Sequence, residues 1–469
     1  MKKCRLSIVG AGYVGLSTAI GYASKGFHVI ALELDAQKAE MINKAIPILY
    51  EPWLQKSLQE AVKKNLLKCT LNLEETILNS DITFIAVGTP SKPDGSIDLE
   101  QIKKTACDIG AILKKKKTYH LVVVKSTVIP GTTENVVKPI LEECSNKRCG
   151  TDFGLCMNPE FLRQGAAIHD TLNPDRIVIG ENDPKSGNTL EALFADFYGE
   201  KLPPIVRTNL ATAELIKYAS NAFLAAKISF INTIGSICEK TPSVDVKKIA
   251  EAMGLDKRIG PAFLNAGLGY GGSCFPKDIK ALIAYSHSVG YSPKLLEIIE
   301  KVNNDQASKI VETCKGFLGN LNSKRIALLG LAFKPETDDM REARSVLIIN
   351  QLLAEDAKVV VYDPIAVPNA KTIFKKTIEY AESSAECLKG ADCCILVTEW
   401  DEFKKLEPEN FTAIMKQAIL IDGRRIYDPE EFSSKMKFAA IGLGQKPLES
   451  HLDLVLIDPL HKNEIINII

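Results

Sequence analysis

Through the first two hundred residues, short apolar runs rich in Val and Ile alternate with helix-length amphipathic segments. The runs at 6–9, 29–32, 82–87, 121–125 and 177–179 have the length and β-branched content of buried strands. Their alternation with helical segments predicts βαβ units in a parallel sheet covered on both faces. From about 208 to 240 there is no Pro and apolar residues recur at helical spacing, which predicts one helix about 45 Å long. More helical sequence follows to about 306, broken by a glycine-dense segment at 267–276. From 324 the early pattern returns in degenerate form: 324–330 echoes 3–10, 358–363 echoes 28–33, and 391–397 echoes 80–87. The predicted architecture is an α/β fold of two doubly wound parallel-sheet domains joined by a central helical domain with one long helix. The boundaries fall at 1–205, 206–306 and 307–469.

A chain of 469 residues accommodates these three units comfortably. Lys plus Arg and Asp plus Glu both number 58, so no global basic field favours nucleic acid. The uncharged run at 6–24, preceded by Lys2, Lys3 and Arg5, imitates a leader or membrane span. Gly10, Gly12, Gly15 and Gly21 interrupt it, so a folded strand–helix unit explains it better and no membrane partner is expected. The twelve cysteines form no C-x-x-C pair, which reads as a reduced, cytoplasmic pattern. The six histidines show no metal-ligand spacing, and no metal is expected.

Five segments carry candidate chemistry. Gly10-Ala11-Gly12-Tyr13-Val14-Gly15 fits G-x-G-x-x-G between a strand and a helix, where glycines permit a tight turn and close approach of backbone to pyrophosphate. Glu33, at the end of the second strand, would bond a ribose 2′-OH and repel a 2′-phosphate, which favours NAD over NADP. A turn that only packs a helix on a sheet is the plainer reading. Cys274 sits among glycines with Lys277 and Asp278 beside it and reads as a nucleophile; the other eleven cysteines read as small buried hydrophobes. Glu214, Lys217 and Asn221 share a face of the long helix, amid apolar bulk that would let a lysine and an amide stabilise an alkoxide, unless they form a solvated ion-pair face. Thr127, in Lys125-Ser126-Thr127-Val128, and Glu160, in Asn158-Pro159-Glu160-Phe161-Leu162-Arg163-Gln164, are a candidate ligand contact and a candidate base, or ordinary turn residues.

Together with Gly269-Tyr-Gly-Gly-Ser-Cys-Phe-Pro-Lys-Asp278, Phe333-Lys-Pro-Glu-Thr-Asp-Asp-Met-Arg-Glu342 and Asp422-Gly-Arg-Arg425, these segments resemble the UDP-glucose 6-dehydrogenase family of nucleotide-sugar dehydrogenases along nearly the whole chain. The resemblance implies two Rossmann-like domains and four-electron oxidation of a UDP-glucose C6 alcohol to a carboxylate with two NAD, through a thiohemiacetal and a thioester on Cys274. Lys217 and Asn221 would stabilise the oxygen anion, a water held by Asp278 would take the proton, and Glu160 and Thr127 would assist hydrolysis. Glu33, Lys38, Thr89, Thr127, Gln164, Lys277 and Arg341 would contact NAD. The nucleotide sugar would meet Glu160, Phe161, Leu162, Arg163, Gln164, Lys217, Asn221, Arg258 and Lys334. It would also meet the loop Asn265, Ala266, Gly267, Leu268, Gly269, Tyr270, Gly271, and Arg424, which would extend toward a neighbouring subunit. The long helix would form a homodimer core. Gln164 stands where the family often has a second glutamate, Glu33 replaces the usual aspartate, and Pro130 comes one residue later than usual. GDP-mannose and UDP-N-acetylmannosamine dehydrogenases, and a non-catalytic nucleotide-sugar sensor, are the alternatives.

Overall fold

The computed structural model describes residues 3 to 445, so the end of the predicted 307–469 unit lies outside the described residues. The first sheet has eight strands: β1 (Leu6–Val9), β2 (Val29–Leu32), β3 (Leu67–Thr70), β4 (Ile82–Ile85), β5 (Leu121–Val124), β6 (Gly154–Met157), β7 (Ile177–Glu181) and β8 (Ile205–Asn209). Their order is β3-β2-β1-β4-β5-β6-β7-β8. The central strands β1, β4, β5 and β6 are buried along their whole length because helices cover both faces; β1, β4 and β5 coincide with predicted apolar runs, whereas β6 is not among the predicted strands.

The sheet departs from the expected parallel arrangement at one joint, where β7 pairs with β6 antiparallel, with Met157 opposite Gly180. A parallel return needs a crossover of a dozen or more residues, usually a packed helix. Segment 158–176 supplies only the six-residue helix Ala167–Leu172 and spends the rest on a loop over the strand ends.

The second sheet comprises β9 (Arg325–Leu329), β10 (Lys358–Tyr362), β11 (Glu379–Tyr380), β12 (Cys393–Leu396), β13 (Ile419–Asp422) and β14 (Lys437–Ala440). Its order, β11-β10-β9-β12-β13-β14, repeats that of β3 to β6 in the first sheet, and every pairing in it is parallel. The degenerate echo in the sequence is therefore a repeat of topology, and both sheets are Rossmann-like.

Between the sheets runs the long helix Leu210–Glu239, capped at its start by Asn209, whose side chain accepts from the Thr212 N–H at 2.8 Å. Helices Val246–Leu255, Phe275–Ser288 and Lys294–Leu318 pack around it, the last continuing unbroken past position 306. Tyr270, Ile279 and Ile299 join Ala222 and Ala225 of the long helix in a small apolar core beneath the cysteine loop.

One cysteine expectation is overturned. Cys107 and Cys144 form a disulfide between helices Glu100–Leu113 and Lys138–Ser145. The approach depends on Gly110, where a Cβ would stand 2.8 Å from that of Cys144. The 37-residue separation follows no spacing that a sequence reading could use.

Candidate active site

The glycine turn is built for close approach. Gly10 has φ +97°, and a Cβ on it would meet the Ala86 carbonyl oxygen at 2.8 Å; one on Gly15 would fall 1.8 Å from the Gly10 carbonyl oxygen. Gly12, by contrast, faces open space, and the helix Tyr13–Ser24 begins there with no side chain capping its N–H groups. Ala11 is buried beneath the turn, while Tyr13 and Val14 are partly exposed on the first helical turn. Just after β2, Oε1 of Glu33 accepts from the N–H groups of Leu34 and Asp35, which fixes the carboxylate, and Oε2 has no hydrogen-bond partner among the described residues. Lys38 is exposed on the next helix, Ala36–Asn43. The hydroxyl of Thr89 donates to the Thr127 carbonyl at 2.8 Å, so these two candidates meet where β4 and β5 end. The bare N–H groups, the open Gly12 and the oriented acid fit NAD, held by its pyrophosphate and ribose.

A cavity of about 620 Å³ lies beyond the strand ends and is lined by Lys125, Glu160, Phe161, Lys217, Asn221 and Cys274 among others. Lys217 and Asn221 are one helical turn apart on the long helix and both are buried. Lys217 pairs with Glu160 Oε1 at 3.0 Å, and Glu160 Oε2 accepts from the Leu162 N–H at 2.6 Å. Burial opposes charge on both members of the pair. Their mutual attraction outweighs it, so the Glu160 carboxyl is held below its usual range and the Lys217 ammonium above its own. Asn221 donates to Asp278 Oδ2 at 2.6 Å, while Asp278 Oδ1 accepts from Lys277 at 2.6 Å. Asp278 thereby fixes the amide that faces the cavity.

Cys274 caps the start of helix Phe275–Ser288, with Asp278 one turn on, its N–H bonding the Cys274 carbonyl at 2.9 Å. It is the one exposed cysteine with a free thiol; nine others are buried or partly buried and free. Burial of the sulfur's surroundings and the Glu160 charge push its thiol up, and Lys217 pulls it down. The net direction is upward, so the resting group is a thiol whose proton must leave when the sulfur attacks.

The third member of the predicted helix face does not join this group. Glu214 turns toward the loop after β5, where its two oxygens accept from the N–H groups of Gly131 and Thr133 at 2.6 and 2.7 Å and from the Thr133 hydroxyl. Spacing along a helix gives a shared side, but its neighbours decide which way each group bonds.

The remaining candidates gather from three directions. Phe161 packs under the guanidinium of Arg176 and near Lys217. Arg163 forms a two-pronged pair with Asp170, and Leu162 lines the same cavity. Gln164 crosses to the second sheet domain, where its side-chain amide donates to Asp339 at 3.0 Å and its backbone carbonyl accepts from Lys334; Asp339 in turn holds Arg341 by three bonds, one from its backbone N–H and two from its guanidinium. The loop from Asn265 to Gly271 is buried from Ala266 onward and is clamped by Asn232, which accepts from the Gly267 N–H, and by Asn303, which bonds both backbone groups of Tyr270. Leu268 packs over Gly423, and a Cβ on Gly269 or Gly271 would collide with Asn303 or the Glu342 carbonyl.

Within this chain, Arg424 Nε donates to the Val397 carbonyl at 2.6 Å, and its other nitrogens lie near the Gly269 and Phe333 carbonyls. Arg258 is exposed, paired with Asp256 two residues away, and lies apart from the cavity. A second cavity of about 780 Å³ adjoins the other side of the cysteine loop, lined by Gly272, Ser273, Lys277 and Arg341.

Sequence reasoning missed Lys125, whose amine donates to Asn158 at 3.0 Å and is pushed down to about 8 by burial, against the pull of Glu160. It also missed Arg176, Asn232, Asn303 and Glu51. Each is a polar residue whose partner lies far away in the chain, and only its polarity amid apolar sequence could have drawn notice.

A dinucleotide turn on one sheet, and a free cysteine ringed by a charged lysine, an amide and buried acids, define a NAD-dependent dehydrogenase. Matches to family models agree: the NAD-binding domain of the UDP-glucose/GDP-mannose dehydrogenase family at residues 4–198, its central domain at 211–305 and its UDP-binding domain at 327–429. The UDP-glucose 6-dehydrogenase AglM of Haloferax volcanii is 45% identical, over 91% of this chain and 98% of that protein. For the UDP-glucose 6-dehydrogenase YwqF of Bacillus subtilis the figures are 42%, 93% and 97%. The solved UDP-glucose dehydrogenase of Pyrobaculum islandicum superposes with a TM-score of 0.88 at 37% identity, covering 94% of this chain and 98% of that one. The chain belongs to the UDP-glucose/GDP-mannose dehydrogenase family.

Proposed function

We propose that this chain oxidises the C6 alcohol of UDP-glucose to a carboxylate, giving UDP-glucuronate with two NAD reduced per sugar. The observation that carries the reading is the exposed Cys274 thiol on a cavity whose wall holds a protonated Lys217 and a fixed Asn221 amide. The choice of sugar is supported by curated relatives of 37–45% identity that are UDP-glucose 6-dehydrogenases, against 27% for the solved UDP-D-ManNAc dehydrogenase of Pyrococcus horikoshii.

The glycine turn, Glu33, Lys38, Thr89, Thr127, Gln164, Lys277 and Arg341 hold NAD, which when bound accepts a hydride in each half of the reaction. In the first half, C6 loses a hydrogen with its electron pair while the hydroxyl proton passes to a water beside Asp278. The charge that develops on the oxygen falls to Lys217 and Asn221, and removing one such donor typically costs about 3 kcal/mol of transition-state stabilisation. Glu160 serves first as the counter-ion that keeps Lys217 protonated.

The Cys274 sulfur then bonds the aldehyde carbon, its proton ending on the former carbonyl oxygen. Departure of the second hydride and that hydroxyl proton leaves a thioester. Water adds to the acyl carbon, the carbon–sulfur bond breaks, and Cys274 regains its proton as the carboxylate is released. Thr127 and Glu160 assist this hydrolysis. Phe161 to Gln164, Lys334, Arg424 and the loop from Asn265 to Gly271 hold the nucleotide sugar.

The proposal extends to a homodimer through the long helix, because Leu215, Phe223, Phe230 and Ile237 form an exposed apolar stripe at intervals of eight, seven and seven residues. It also includes the three-unit division at 205 and 306, and a cytoplasmic setting in which ten free cysteines accompany the Cys107–Cys144 pair.

The test is the NADH yield when limiting UDP-glucose is run to completion with excess NAD. Two NADH per sugar is the expected result, and Cys274→Ala abolishes turnover. One NADH per sugar from the native protein would overturn the thioester route. None, with both ligands bound, would make the chain a sensor.

A further inference from the structure

Residue 51 is a glutamate in the loop between helices Ala36–Asn43 and Leu54–Lys63, outside every motif discussed above. It is buried, and among the described residues no lysine or arginine forms an ion pair with it, although its charge is felt at Lys334. Its carboxylate is instead filled by hydrogen bonds from two other segments. Oε1 accepts from the Ala167 N–H at 2.6 Å, and Oε2 accepts from the Gly165 N–H at 2.8 Å and from the Tyr13 hydroxyl. The Tyr13 oxygen in turn accepts from the Gly165 N–H at 3.1 Å and lies 3.4 Å from the Arg163 carbonyl.

Those partners are not incidental. Tyr13 is the first helical residue of the dinucleotide turn, between Gly12 and Val14. Gly165 and Ala167 end the loop that begins with Glu160, the counter-ion of Lys217, and runs through Phe161 to Gln164. One buried acid thus bolts the cofactor turn to the substrate loop. The neighbouring residue reaches the third body, since the Tyr50 hydroxyl lies 3.5 Å from Glu336 Oε2 on the second sheet domain. Glu336 in turn packs on Gly165, where a Cβ would stand 3.3 Å from its own.

We infer that Glu51 is a positioning residue which, through Tyr13, couples occupancy of the NAD turn to the geometry of the 160–167 loop, so that NAD and the nucleotide sugar bind with mutual dependence. The inference rests on the UDP-glucose reading for the identity of the sugar. Its physical basis is that a carboxylate only accepts, and all three groups on Glu51 are donors. Movement of the Tyr13 hydroxyl when the turn closes on a ligand is felt at the oxygen that also holds Gly165. Coupling between two sites is a free energy shared by both, so each ligand changes the other's affinity by the same factor.

The isosteric change Glu51→Gln is the sharp test, because either orientation of the amide sets an NH₂ against Ala167 or Gly165. Calorimetric titration gives the UDP-glucose Kd with and without saturating NADH for the native protein, Glu51→Gln, Glu51→Asp and Tyr13→Phe, with unfolding midpoints alongside. In the native protein NADH is expected to change the Kd by about fivefold or more. Glu51→Gln brings that ratio close to one, Tyr13→Phe shrinks it, and Glu51→Asp, which keeps an all-acceptor group, recovers part of it. A native ratio of one, or a Glu51→Gln ratio equal to the native value, would overturn the inference even if the unfolding midpoint falls. A native protein that binds NADH and another nucleotide sugar, but not UDP-glucose, would defeat the substrate reading instead. The same ratios measured with the sugar that binds would then decide the role of Glu51.

Discussion

Gly10 and Gly330 occupy the same place in their two sheets. Each follows the first strand with φ +97°, and each backs onto the segment just past the fourth strand of the order, at Ala86 in one case and Thr398 in the other. After that glycine the two turns diverge. In the first sheet a helix begins three residues on, its N–H groups bare, and Glu33 just after β2 spends one oxygen on its own turn, while the other has no hydrogen-bond partner among the described residues. In the second, the next helix does not start until Arg344, and the N–H groups of Leu331 and Ala332 are both taken by Asp363 Oδ2, at 2.7 and 3.1 Å. Asp363 follows β10 as Glu33 follows β2, yet it is buried, and also accepts from Ile365, Ala366 and the Trp400 indole. The acid that bonds only its own turn in one sheet has a counterpart that plugs the glycine turn in the other. A repeated topology therefore does not repeat a site; what counts is whether the acid after the second strand has bonds left to give.

The comparison breaks most completely at Gly330. Adding a methyl group there combines a left-handed backbone with a 2.4 Å approach to Thr398, and Gly330→Ala is expected to lose about 3 kcal/mol or more of stability by denaturant titration. Next comes Asp363→Asn, which sets an amide NH₂ against backbone donors and should cost about 3 kcal/mol while leaving the NAD KM of the folded enzyme unchanged.

A pH series isolates Glu214. Burial raises its carboxyl to about 7, against the hydrogen bonds from Thr133 and Gly131. A carboxyl raised on folding binds its proton more tightly in the folded chain, so its contribution weakens as pH climbs from the ordinary carboxylate range through 7. The stability difference between native and Glu214→Gln proteins should change over that window by up to about 3 kcal/mol; a flat difference would reject the assignment. The smallest effects sharpen the comparison from the first sheet. Gly12→Ala meets no atom within 4 Å and should leave stability within about 0.5 kcal/mol. Its NAD KM should nonetheless rise about tenfold, as should that of Glu33→Gln to a lesser degree.

Much of this was legible in the sequence. The strands at 6–9 and 29–32 emerge with the bounds read from their apolar runs, and the segment at 208–240 is the long helix to within two residues of each end. The echo after residue 324 was visible because buried parallel strands have few composition options. Strand β8, with its exposed Val206 and Arg207, lacks that signature and went unread. The direction of β7 was hidden too, since it depends on how a loop closes and not on the strand itself. In the site, Lys217, Asn221, Cys274 and Asp278 were found because they cluster within motifs. Glu51 and Asp363 were not, because each takes its meaning from N–H groups on other segments, and an acid amid ordinary residues carries no local mark of what will surround it.

The cysteine loop walls two cavities that share no lining residue: one holds Cys274 with Lys217 and Asn221, the other Ser273 with Lys277 and Arg341. On the proposed route a half-oxidised sugar is tethered by its sulfur bond in the first room. Exchange of the spent dinucleotide for a fresh one then takes place with no free reactive aldehyde in the site.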